Sequence, residues 1–173
     1  MNKKIFAAAA ACALFGAAGM AQAAPVTYVP TLHGNIGYSY NNAADGIHNV
    51  YAEFSPINKV VVGAEYRDWI NRGHETDVYA KYRVTPQIYV GLGNRNYYDR
   101  DAKVYGLVEG MTNVADRLDA YASLKFSSEE TEYKVGALYD LMPSIDLDVN
   151  YTYYDRDDSH NQDGVGVGMN YRF

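Results

Sequence analysis

From residue 30 onwards the chain is written with a period of two. Even steps after Pro30 give Leu32, Gly34, Ile36, Tyr38 and Tyr40 on one face. Pro56 is followed in the same way by Val60, Val62, Ala64 and Tyr66, and Pro86 by Ile88, Val90 and Leu92. Pro143 opens the series Ile145, Leu147, Val149, Tyr151 and Tyr153. These prolines stand 26, 30 and 57 residues apart. The wide gap holds a turn-like segment, Met111–Arg117, after which Leu118, Ala120, Ala122, Leu124 and Phe126 repeat the pattern. Alternation of this kind marks β-strands with one apolar face, and its even spacing marks a repeated unit. Proline is tolerated there because a strand's first residue needs no ladder donor. Each marker is therefore expected to start a strand of roughly ten residues, the length a tilted strand needs to cross a bilayer.

Five returning strands fit between these. Val50, Ala52 and Phe54 share a face in the first, and Val78, Ala80, Tyr82 and Val84 in the second. The third, from Lys103 to Gly110, is the weakest, because Val104 and Val108 compete with Tyr105 and Leu107 for the outside. Val135, Ala137, Tyr139 and Leu141 mark the fourth. The fifth is the terminal stretch, where Val165, Val167, Met169, Tyr171 and Phe173 alternate with Gly166, Gly168, Asn170 and Arg172. Five hairpins make ten antiparallel strands; if the Lys103 strand and a neighbour fail, the count is eight. An apolar alternation ending in Tyr-x-Phe at the carboxyl end resembles the sorting signal of bacterial outer-membrane β-barrels. That resemblance implies that Val165, Val167, Met169, Tyr171 and Phe173 are read by the barrel-assembly machinery.

The amino terminus has a different character. Lys3 and Lys4 precede an apolar run from Ile5 to Met20 and the small-residue segment Ala21-Gln22-Ala23. This is the layout of a secretory signal peptide, with cleavage expected after Ala23 or at a neighbouring bond, so residues 1–23 are the signal and 24–173 the barrel domain. The single cysteine, Cys12, leaves with it, so the mature chain is expected to carry no disulfide and no cysteine metal site. The formal charge is −6 and becomes −8 once Lys3 and Lys4 are lost, which argues against a nucleic-acid surface.

Tyrosine changes the picture most: there are 18, against 5 Phe and 1 Trp. An apolar ring with a wet hydroxyl suits membrane–water interfaces and polar barrel interiors. After the signal no long apolar run remains. A membrane protein of this composition must therefore satisfy its strand backbones by closing a barrel. Outward aromatics fall in two tiers. Tyr38, Tyr40, Tyr66, Phe126, Tyr133, Tyr151 and Tyr153 lie towards one set of loops; Phe54, Tyr82, Tyr139, Tyr171 and Phe173 lie towards the proline turns. The loops are expected at Asn41–His48, Ile70–Glu75, Tyr98–Ala102, Ser127–Thr131 and Asp155–Asp163. At the level of architecture the mature chain resembles the opacity-type and OmpA-like barrels. The fold expected is an all-β, transmembrane, antiparallel up-and-down barrel bathed in outer-membrane lipid.

The same parity points charge inward: Glu53, Glu65, Arg67, Asp77, Lys81, Arg83, Arg95, Lys103, Glu109, Asp119, Lys125, Lys134, Asp140, Asp146, Asp148 and Arg172. Towards hydrocarbon an Arg or Lys would cost about 2–4 kcal/mol at the midplane, so these residues belong in the lumen. Two readings stand. The interior is either closed by ion pairs and tyrosine hydrogen bonds, or it is a narrow pore for ions or small solutes lined by these groups. Inward glycines at Gly37, Gly63, Gly91, Gly93, Gly136, Gly166 and Gly168 serve either reading. They clear a path, or they let rings such as Tyr89 and Tyr121 pack across them. Neither His74-Glu75 nor Asp155-Arg156-Asp157-Asp158-Ser159-His160 matches the spacing of omptin-type barrel proteases, so no catalytic residues are expected. The second group also lacks an ordered Asp-x-Asp-x-Asp-Gly loop, and no metal or cofactor is assigned. Short loops leave little surface for an adhesin. The expected role is a structural envelope barrel, with the narrow channel as the alternative.

Overall fold

The computed structural model describes residues 28–157 and 160–173; the expected signal segment, with Cys12, and Asp158 lie outside the described residues. Ten strands form: β1 (Gly34–Asn41), β2 (Ile47–Ile57), β3 (Val60–Trp69), β4 (Gly73–Thr85), β5 (Ile88–Asn96), β6 (Lys103–Ala115), β7 (Leu118–Phe126), β8 (Glu130–Met142), β9 (Ile145–Arg156) and β10 (Gln162–Arg172). Each pairs antiparallel with its sequence neighbour, and β1 pairs with β10 to close the ring. At the seam Gly34 and Phe173 exchange two backbone hydrogen bonds of 2.9 Å, so the closure leaves no free edge there. Among the described residues there is no helix.

The expected parity is the one observed. Val165, Val167, Met169, Tyr171 and Phe173 point outward, as do Val78 and Leu92, the latter 67% exposed. In β6 the competition ends with Val104 outside and Tyr105 and Leu107 buried, because Lys103 and Glu109 share the parity of Tyr105. Charge thus decides where apolarity alone is ambiguous. Both aromatic tiers lie on the outer surface.

The turns differ in detail from expectation. The turn side is made of two-residue connections at Asn58-Lys59, Pro86-Gln87, Asp116-Arg117 and Pro143-Ser144. Each follows a register shift in the incoming strand, between Phe54 and Ile57, Arg83 and Thr85, Asn113 and Ala115, and Asp140 and Met142. Pro56 accordingly sits in the β2 bulge rather than at the start of a strand, a place where its missing N–H breaks no ladder bond. Lys59 and Arg117 adopt left-handed backbone, with φ of 67° and 63°. At the other end four of the five loops are shorter than expected, and in three of them β4, β8 or β9 runs further, so that Glu75, Glu130, Thr131 and Arg156 all belong to strands; the β5–β6 loop, residues 97–102, is one residue longer.

The outward face gives a direct test. Leu92→Lys, in the middle of β5, is expected to destabilise the lipid-embedded barrel by about 2–4 kcal/mol, whereas Asn96→Lys at the loop end of the same face costs at most about 1 kcal/mol. Urea unfolding in phospholipid vesicles, followed by tryptophan fluorescence, measures both.

Candidate functional site: the barrel interior

A closed barrel of this width has no room for bulky residues on every inward position, and the sequence solves this by pairing large with small. Gly37 lies opposite Tyr51 in the ladder, Gly63 opposite Tyr79, Gly93 opposite Tyr105 and Gly136 opposite Tyr121. At each of these glycines a Cβ would fall on the partner's ring. The ring of Tyr121 therefore packs across a glycine as expected. Tyr89 does not; the Lys81 ammonium lies 5.3 Å from its ring centroid. Gly166 and Gly168 are backed by Asn150 and Ser39, so here small polar groups occupy the glycine space.

In the loop-side half of the interior, five cations and five carboxylates form one network: Arg67, Arg95, Lys125, Lys134 and Arg156 with Glu65, Glu75, Asp77, Glu130 and Glu132. The Asp77 carboxylate is the common acceptor. Arg95 donates to it through Nε at 2.8 Å and Nη2 at 2.9 Å, Arg67 through Nη2 at 3.1 Å, and Lys125 at 3.4 Å. Glu132 takes Arg67 at 3.1 Å and Arg95 at 2.9 Å, and Glu130 bridges Arg95 to Arg156. Every member is buried. Equal numbers of opposite charge matter here: a buried ion is tolerated only when it is paired and hydrogen-bonded.

Below lies a tyrosine layer, Tyr79 and Tyr105 with Leu107. Below that, Lys81 is held by Glu53 at 2.6 Å and Glu109 at 2.9 Å, and Tyr79 donates its hydroxyl to Glu53 at 2.9 Å. On the far wall Asp148 accepts from Tyr121 and from Asn150 at 2.7 Å. Arg172 donates to Asp146 at 2.7 Å and to Asp140 at 2.9 Å. Apolar clusters stand at both ends. Ala43, Ile47, Trp69 and Tyr154 close the loop side, with Arg156 stacked 4.6 Å over Trp69. Val29, Val61, Tyr89, Tyr121 and Leu138 close the turn side, so the segment before β1 itself enters the barrel.

The structure thus brings together Glu53, Glu65, Arg67, Asp77, Lys81, Arg95, Glu109, Lys125, Lys134, Asp146 and Asp148 in the interior. It places Arg83, Lys103, Asp119, Asp140 and Arg172 at the rims. Arg83 meets Asn58 at 3.4 Å and the Tyr28 ring at 4.8 Å, and Lys103 pairs with Glu129 at 3.0 Å. Asp119 accepts from Asn113 at 3.1 Å. Glu75, Glu130, Glu132 and Arg156 join the network unforeseen. Each continues the inward parity of its strand; extending the alternation past the assumed loop boundaries would have found Glu75, Glu130 and Arg156, while Glu132 lies just beyond the expected loop on the same face as Lys134. The protease-like pair comes apart: His74 stacks on Tyr66 outside, with centroids 5.7 Å apart, while Glu75 is buried inside. In the β5–β6 loop the Arg100 guanidinium, 3.0 Å away, holds the Asp99 carboxyl below the usual aspartate range.

Two substitutions test this packing. Arg95→Ala leaves Asp77, Glu130 and Glu132 undercompensated and is expected to cost about 3–5 kcal/mol. Gly136→Val evicts the Tyr121 ring and is expected to cost about 1–3 kcal/mol as overpacking. The midpoint of the heat-induced gel-mobility shift, or of urea unfolding, reads both; wild-type midpoints would refute the packing described.

No protein-family model and no curated protein matches this sequence. Solved structures do. The KdgM porin in complex with disordered oligogalacturonate superposes with a TM-score of 0.53 at 14% identity, over 80% of this chain and 99% of that one. A second KdgM porin structure gives 0.51 at 14% identity over the same shares. The N-terminal β-barrel domain of Pseudomonas aeruginosa OprF gives 0.47 at 12% identity, over 83% and 98%. At such identities the likeness is one of fold. The chain is a closed, antiparallel, up-and-down barrel of ten strands, a fold it shares with the KdgM porin.

Proposed function

We propose that the protein is a non-enzymatic, integral outer-membrane barrel with a structural role in the cell envelope, and that its resting lumen is closed. The observation that carries this reading is the neutral five-against-five charge network, held between apolar clusters at both mouths. A pore needs charges that face water; these face one another. The outward apolar band with two aromatic tiers supports the membrane location, since such girdles match the two membrane interfaces. The outward row ending in Phe173 supports insertion through the barrel-assembly machinery. A narrow channel is the second reading, favoured by the fold shared with a porin. Refolded mature protein in planar bilayers is expected to be silent while gels confirm a heat-modifiable barrel. Discrete steps that change with Arg67→Ala would overturn the closed lumen and establish the channel.

A further inference from the structure

The outer surface is not girdled evenly. On the loop side the aromatic tier runs from Tyr133, Tyr151 and Tyr153 through Tyr38 and Tyr40 to Tyr66 on β3. It resumes only at Phe126 of β7, whose ring leans over Gly106 of β6. The turn-side tier stops at Tyr82 on β4 and resumes at Tyr139 on β8. β5 and β6 carry aromatic rings only on their inward face, at Tyr89 and Tyr105. Rings with a wet hydroxyl anchor a barrel wall at the two membrane interfaces, and this sector lacks them on both tiers.

The gap on the loop side is filled by amides. Within the ladder Asn94 lies between Val78 and Val104, and Asn96 lies beside Thr76. Alternation turns Asn94 and Asn96 outward with Val90 and Leu92. Leu92 and Val104 are 67% and 66% exposed, more than any other large apolar side chain of the described strands. Asn94 therefore stands in an apolar surface. The side chains of Thr76, Asn94 and Asn96 make no hydrogen bond to any described residue. A lipid tail offers an amide no partner, and leaving its bonds unmade in such surroundings is costly.

Amides have a property that charged groups lack. Each carries donors and an acceptor, so the same residue on two copies can pair with itself. A twofold contact demands this, because it brings one patch against an identical one. Among the described residues no Asp, Glu, Lys or Arg shares the outward face of β4, β5 or β6, so two such faces meet without like-charge repulsion. Leu92 also stands beside Ala80 in the ladder, a knob next to a shallow position.

We propose that the outer face of β4–β6 is a docking surface for a second copy of this chain, related by a twofold axis along the membrane normal, with the Asn94 and Asn96 amides hydrogen-bonded across it. The inference rests on the outer-membrane reading above. At high lipid dilution the face returns to lipid, so a charge replacing Leu92 is penalised in either state.

The mature chain, residues 24–173, holds no cysteine, so single thiols report proximity cleanly. Asn94→Cys and, on the far wall, Val167→Cys are each refolded into phospholipid vesicles and oxidised. Disulfide-linked dimers are expected from the first and not from the second. Energy transfer between copies labelled at the amino terminus, followed as lipid dilutes the protein, gives the dissociation constant. Asn94→Leu with Asn96→Leu is expected to raise it at least about tenfold, with heat-modifiable migration retained. A folded wild type that is monomeric at every dilution would overturn the dimer and leave the amides to lipid headgroups. Linkage as strong from Val167→Cys, or a double variant that associates as tightly as wild type, would overturn the assigned face. Should the double variant not fold, the two cysteine variants decide. A chain that never acquires heat-modifiable migration would overturn the membrane reading, and this inference with it.

Discussion

Arg67 and Arg95 share one carboxylate, and the interior is arranged around the need to keep those two guanidiniums compensated. Asp77 alone cannot do so. Glu132 takes a second contact from each, Glu130 ties Arg95 to Arg156, and Glu65 draws in Lys125 beside them. Desolvating ions is costly, and only near-ideal partners recover the loss. The network therefore stabilises less through the strength of any pair than through the penalty for leaving one partner alone. It ties β3 to β4, β5, β7, β8 and β9 across the lumen, so the barrel holds its cross-section by internal struts as well as by its ladder.

Volume sets the second constraint. Arginines and tyrosines on every inward position would not fit. The glycines opposite Tyr51, Tyr79, Tyr105 and Tyr121 let those rings lie against the wall. In a small barrel they also ease the curvature that closure demands. The tyrosines in turn separate the loop-side network from the Lys81 group, so that two charged layers coexist without merging.

Most of the fold can be read from the residues because a closed barrel turns every second side chain outward, and here the outward set is mostly apolar and the inward set mostly polar or small. Once Val167 and Met169 face out, Gly166 and Gly168 must face in, and the same holds strand by strand. The doubtful β6 resolves as soon as Lys103 and Glu109 are counted with Tyr105. What stays hidden is what alternation does not encode. Glu75, Glu130 and Arg156 look like solvated loop charges, since local composition does not show how far a strand continues. Which cation meets which carboxylate depends on the shear of the closed sheet, joining residues as distant as Glu75 and Arg156. The inward course of residues 42–46 is equally unreadable, because it depends on a gap at Gly164 on the last strand. Arg83 and Lys103 have lumen parity but sit so near the strand ends that they reach the rims.

The seam between Gly34 and Phe173 means that the two ends of the barrel chain meet on neighbouring strands at the same mouth. As a folded object the ring has no first strand. A permuted chain, joined there and opened at any loop, would keep every ladder and every strut, yet would no longer end on the aromatic row of β10. Order along the chain and stability of the ring are thus separable properties: the ring's ladders and struts do not depend on which strand comes first.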